Sequence, residues 1–298
     1  MIWFVYMRAD VEKAVSLLQR GDDESLEQAL ALLQSTVFSF SMKVCGHRED
    51  AEDTMQEVLV KSLPYLPRID SPKALVVWLY KVARNRCLMS RRKSKFAPKQ
   101  NLSLEELLPD REELESLSGE GSVNPEALAI RSEEAMRLRE AVQRLPPSYR
   151  IVLVLRDMEG LTDDEVAEIT GLRPGTIRVR LHRARLFVRK DLVRQRQQGF
   201  RGRRVPRPQA AHQVRPTRCK AMFAEFSNYL DEPLDDSLCE ELERHMDGCE
   251  PCQAFIASLE RAVEQCRKSP MEMPDRRKTA QLRKQLLLDY DRALKKTP

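Results

Sequence analysis

Apolar residues in this chain recur three and four positions apart, and strict alternation of apolar with polar residues is missing. That periodicity places one face of each segment on a helix and leaves little for a sheet to be built from. Leu26, Leu30, Leu33 and Val37 mark one such face. Val58, Leu59 and Leu63 mark the next, up to Pro64. Residues 72–93 form another helix, with Pro72 suited to its first turn and Leu75, Leu79 and Val82 at helical spacing. Near the end, residues 275–296 repeat Leu282, Leu286, Tyr290 and Leu294 every four positions. The expectation is an all-α protein.

A chain of 298 residues with 33% charged residues is polar for one large core. It suits two or three small helical domains joined by exposed linkers. The linkers stand out by composition. Residues 98–126 set eight acidic residues against Lys99 and Arg111, with Gly119 and Gly121 among them, and read as an acidic, mostly extended segment. Residues 194–218 hold eight arginines, three prolines and no acid, which cannot bury a core and reads as a disordered basic tether. The expected organisation is a helical domain over 9–97, an acidic linker over 98–133, a second helical domain over 134–195, a basic linker over 196–216 and a C-terminal module over 217–298.

The stretch LTDDEVAEITGLRPGTIRVRLHRARLFVRK, 161–190, is the sharpest motif in the middle of the chain. Thr162 and Glu165 form a capping box, Gly171 supplies a tight turn, and Pro174 fits the first position of a second helix. That helix carries seven basic residues between 173 and 190 and no acid. Ile177, Leu181 and Ala184 form its packed face, so the opposite face presents long donors to a nucleic-acid groove.

Residues 140–192 resemble the fourth region of a bacterial RNA polymerase sigma factor of the extracytoplasmic-function type. The stretches GHREDAEDTMQEVLVKSL (46–63) and SPKALVVWLYKVARNRCLMSRRKSK (71–95) resemble the second region of the same family. The resemblance implies two small helical sigma domains whose partners are core RNA polymerase and promoter DNA. It assigns polymerase docking to Asp50, Glu52, Asp53, Gln56 and Glu57, whose acidic and amide groups suit polymerase arginines. It gives Lys81, Arg84, Arg86, Arg91, Arg92 and Lys93 the phosphates of the melted promoter strand, and Asn85 an exposed base. Trp78 lies in the apolar run and reads as core. In the fourth region, base reading falls on Arg178, Val179, His182 and Arg183, and phosphate contacts on Arg180 and Arg185. Arg173 departs from the family, which usually has a capping residue there.

The third module holds RHMDGCEPCQAF, 244–255, with His245, Cys249 and Cys252 at H-x3-C-x2-C spacing. Three such donors converging locally suit a metal. With Cys219 the spacing becomes C-x25-H-x3-C-x2-C, which resembles the zinc-binding anti-sigma domain family. That resemblance implies a Cys3His zinc site, structural or redox-sensitive, in a helical domain that regulates the sigma domains through intramolecular contact. Cys239 is the rival fourth ligand by proximity. Ten acidic residues against Arg244 over 225–250 disfavour a finger that touches phosphates. Cys45, Cys87 and Cys266 read as structural or exposed thiols, in a reducing compartment. No phosphate loop or nucleophile–base set points to an enzyme. No apolar run approaches a membrane span, and the N-terminus lacks a signal peptide's pattern, so a cytoplasmic protein is expected. A stand-alone helix-turn-helix regulator with a structural zinc site is the other reading, and it leaves the first helical block unexplained.

Overall fold

The structure is a computed structural model that describes residues 2–20, 22–66, 69, 71–92, 101–109, 113, 127–199, 244, 249–270 and 273–294. Among them all regular structure is helical, as the periodicity requires. Two compact units divide the chain, and neither is continuous in sequence. One comprises Met1–Pro98, Val154–Pro174 and Arg267–Pro298, the other Lys99–Leu153 and Gly175–Cys266.

The first unit is built around one helix. Helix α1 spans Ile2–Leu18, α2 Asp23–Cys45, α3 Arg48–Ser62 and α4 Pro72–Arg92. The Asp22 carboxylate starts α2 by accepting from the Ser25 amide at 2.8 Å, and these hydrogen bonds hold its carboxyl below the ordinary range. Gly46, at φ 82°, ends it in the left-handed conformation. Leu26, Leu30, Leu33 and Val37 are buried as their spacing predicts, and Phe38 and Phe40 extend burial to other sides of α2. Phe40 stacks on Tyr80 of α4 with ring centroids 4.4 Å apart. A disulfide joins Cys45 to Cys87, with their Cα atoms 5.6 Å apart, and ties the end of α2 to α4. This corrects the expectation of thiols at both positions. The pairing depends on how two helices pack, which spacing along the chain does not encode.

Residues 154–174 pack in this same unit. A π-helical turn, Val154–Met158, is followed by Gly160 at φ 72°, and then by α8, Asp163–Thr170. Thr162 and Glu165 make the expected reciprocal capping box at the start of α8. The unit is completed by α11, Arg276–Leu294, close to the predicted 275–296, lying against α2 and α3.

The second unit contains α5, Leu104–Leu107; α6, Ala127–Arg144; α7, Pro147–Leu153; α9, Pro174–Gly199 (from Gly175 onward); and α10, Glu250–Arg267 (to Cys266). The acidic segment is thus not wholly extended. Its apolar residues Leu107 and Leu108 join Leu186, Cys252, Phe255 and Leu259 in a core cluster. Arg144 bridges α6 to Asp191 of α9 at 2.7 Å. Helix α9 runs past the expected domain end at 195 as far as Gly199. The rest of the basic linker lies outside the described residues.

Candidate nucleic-acid interface

Helix α4 carries the first set of expected nucleic-acid contacts. Lys81 and Asn85 are exposed on it, while Arg84 and Arg86 are half-buried and already engaged. Arg84 donates to the Ile169 carbonyl of α8 at 3.3 Å and to Asn85 Oδ1 at 3.1 Å. Arg86 Nε pairs with Glu57 at 2.8 Å, joining an expected phosphate contact to an expected polymerase contact. Lys61 also donates to Glu57 at 2.7 Å and, with Arg86 beside it, holds that carboxyl below its ordinary range. Arg91 and Arg92 lie in the last turn of α4, and Lys93 lies outside the described residues. Trp78 is partly buried, its ring 5.9 Å from that of Tyr65.

The expected polymerase face lies on α3. Asp53 and Gln56 are exposed, and Asp50, Glu52 and Glu57 are partly so. Residues 48–53 contain four carboxylates, and Glu52 accepts from Arg48 at 3.2 Å and from Lys278 of α11 at 2.6 Å.

The turn expected between two helices at 171–174 is present. Gly171 sits at φ 71° and its N–H reaches the Ala167 carbonyl at 2.7 Å, after which Pro174 begins α9. Arg178 and Val179 are exposed, Val179 by 51%. Arg180 and Arg183 are half-buried, and Arg183 donates to the Leu102 carbonyl at 3.1 Å. His182 and Arg185 are buried, at 8% and 1% exposure, so in this conformation they do not face a groove. Neither His182 ring nitrogen has a hydrogen-bond partner among the described residues. Burial, helped by Arg185 and Arg183, lowers its pKa to about 4. Further along, Arg189 is 1% exposed. It pairs with Glu113, lies over the Phe255 ring at 4.3 Å and donates to Ser258 at 3.4 Å.

Sequence reasoning missed a polar cluster inside the first unit. Glu159 Oε1 accepts from Lys43 Nζ at 3.0 Å and its Oε2 accepts from the Tyr80 hydroxyl at 2.8 Å. All three residues are buried. Burial, and then the carboxylate beside it, raise the Tyr80 pKa well above its ordinary value. The signal was available in Lys43, a lone cation in the otherwise uncharged run FSFSMKVC of α2.

Of the expected metal ligands, Cys219 and His245 lie outside the described residues. Cys249 and Cys252 lie at the start of α10, where the Cys252 and Gln253 amides donate to the Cys249 carbonyl at 3.0 and 3.1 Å. Cys252 is fully buried, and both cysteines pack in the Leu107–Phe255 cluster. Two thiols on one C-x2-C turn are the donor chemistry a tetrahedral thiolate site takes. Cys266 is buried in the same helix.

Comparison with known proteins matches three segments. Residues 30–96 match the family model described as Sigma-70 region 2, residues 135–188 that of Sigma-70, region 4, and residues 219–253 one described as "Putative zinc-finger". The extracytoplasmic-function RNA polymerase sigma factor SigW of Bacillus subtilis is 25% identical over 186 residues, covering 62% of this chain and 98% of that protein. The RNA polymerase sigma-H factor of Pseudomonas aeruginosa is 26% identical over 188 residues, covering 61% and 93%. The sigma factor SigE of Mycolicibacterium smegmatis is 30% identical over 159 residues, covering 53% and 58%. Among solved structures, the sigma factor RpoE in complex with the anti-sigma factor NepR from Bartonella quintana matches with 21% identity and a TM-score of 0.39, over 57% of this chain and 97% of that one. Both sigma-70 regions thus lie in family order with a zinc-finger match behind them, and over those two regions the chain is similar to RNA polymerase sigma factors of the extracytoplasmic-function group.

Proposed function

We propose that this chain directs core RNA polymerase to promoters and initiates transcription, and that the residues behind its two sigma regions regulate it in cis. It acts as an initiation factor rather than an enzyme. The observation that supports the reading is the order of the two regions, matched by relatives over 98% and 93% of their own length. In this reading the α3 carboxylates dock on polymerase, Lys81 and Asn85 of α4 meet the melted strand with Arg84, Arg86, Arg91 and Arg92, and the start of α9 reads the duplex through Arg178, Val179 and Arg183 with Arg180 on a phosphate. His182 and Arg185 join only when their surroundings open.

Zinc fits the third segment. Cys249 and Cys252 would hold it, with Cys219 and His245 completing the set, and the ion would fasten the start of α10 and so the cluster around Phe255. No helix among the described residues is long and apolar enough to cross a membrane, in keeping with action beside polymerase in the cytoplasm. The test is transcription reconstituted from core polymerase, with the full chain and with residues 217–298 removed. A promoter-dependent transcript whose yield changes on removal supports both parts. Unchanged yield refutes regulation in cis, and no transcript from either form refutes the initiation factor.

A further inference from the structure

We propose that α9 and α10 hold between them a binding site for a phosphate group, free or at the end of a small ester. It lies along α9 from the early turns expected to read DNA, and it does not depend on that role.

The site follows from how the two helices meet. Each contributes residues at i, i+3, i+4 and i+7, one stripe of a helix. On α9 these are Arg189, Leu192, Val193 and Arg196. On α10 they are Ser258, Arg261, Ala262 and Gln265. The middle of the α9 stripe is aliphatic, as a packed seam requires, but both of its ends are arginines. Ser258 and Ala262 are too short to fill the seam, and a cavity remains. The centres of water-sized atoms have about 20 Å³ in it, room for the oxygens of one tetrahedral anion and not for a whole nucleotide.

The charges and donors around the cavity call for an anion. Among the described residues no carboxylate lines it. Two reach its arginines from outside the lining. Glu113 pairs with Arg189, and Glu134 meets Arg196 at 3.5 Å in a loose, partly exposed pair. Arg261 is exposed and has no ion pair or hydrogen bond among the described residues. Three guanidiniums thus share two carboxylates. Arg189 is 1% exposed, a depth that arginine reaches when its charge is answered. Its Nη2 is taken by Glu113 and its Nη1 by Ser258 Oγ at 3.4 Å, while its Nε has no partner among the described residues. A buried N–H in that state marks a place for water or an ion. Ser258 spends its own hydroxyl hydrogen on the Phe255 carbonyl at 2.6 Å, so the free donors are those of the arginines. Water would answer the Arg189 Nε and leave the surplus cation. An oxyanion answers both, and guanidinium forks fit phosphate oxygens two at a time. A phosphate held there ties α9 to α10, so its concentration sets how firmly the helix that carries Cys249 and Cys252 stays docked.

The experiment uses the full chain, as wild type and Arg261→Gln, a change at an exposed side chain. Inorganic phosphate, adenosine monophosphate and potassium chloride are titrated at matched ionic strength. Binding is read by calorimetry and its place by amide hydrogen exchange of residues 254–266. The expected result is that phosphate binds and slows exchange in that segment. Arg261→Gln weakens this binding about tenfold, yet melts like the wild type when phosphate is absent. Equal binding of the monophosphate assigns the group to an ester, and binding of the inorganic ion alone assigns it to the free ion; either supports the site. Phosphate that acts no differently from chloride, or that binds both forms alike, overturns it and leaves water in the cavity. A loss at Arg261→Gln seen with duplex DNA and not with phosphate also overturns it, in favour of a nucleic-acid backbone.

Discussion

Helices α4 and α9 are both rich in arginine and both stand where a nucleic acid is expected, yet they use their cations differently. On α4 the described basic side chains stay at or near the surface, Lys81 exposed and Arg84 and Arg86 half-buried. On α9 the cations divide along the helix. Arg178 faces solvent in the first turns, while Arg185 and Arg189 are buried deeper than most leucines. The lesson is that a basic helix is not one surface. Its early residues can serve recognition while its later ones, paired with Glu113 and stacked on Phe255, hold a domain together.

The largest effect that could break this contrast is at Arg189. Arg189→Ala removes the buried ion pair with Glu113 and the cation over the Phe255 ring, and is expected to cost about 3–5 kcal/mol of the second unit's stability in denaturant unfolding. A loss below about 1 kcal/mol would return Arg189 to the surface class. In the first unit, Glu159→Gln removes the buried carboxylate to which the Lys43 ammonium and the Tyr80 hydroxyl donate, and a loss of about 2–4 kcal/mol is expected in the same measurement.

His182 sharpens the comparison through pH. Its folded pKa, about 4, lies below its ordinary 6.5. The unfolded chain therefore takes up the proton first as pH falls. Stability from neutral His182 is full above about 6.5 and drains away down to about 4, by roughly 2–3 kcal/mol. Thermal melts of the wild type and His182→Leu across that range check it, the variant showing the shallower slope. The smallest stability effect is expected at Arg178. Arg178→Ala should change stability by less than about 0.5 kcal/mol. It should weaken promoter binding by about 1–3 kcal/mol, read in a filter-binding or anisotropy titration.

Much of the fold was legible because it is written in local chemistry. Thr162 with Glu165, Gly171 and Pro174 set the ends of α8 and α9 within a few residues of each other, and the leucine spacing found α11. What escaped depends on residues far apart in sequence. Cys45 meets Cys87, Lys43 meets Glu159, and Leu107 of the acidic stretch meets Phe255 only after helices pack. The candidate site was half legible for the same reason. Residue type marks Arg178 and Arg185 alike as DNA contacts, and only packing separates them.

The Glu159 cluster has a consequence for how residues 154–174 come away from α2 and α4. An oily contact loosens by degrees, since each methylene is re-wetted separately. A carboxylate shared between an ammonium and a phenol loosens less gradually: a buried charge that loses one of its hydrogen bonds is uncompensated for that bond until solvent reaches it. Departure of this segment should therefore be abrupt, a snap rather than a slide, populating two arrangements and little between them.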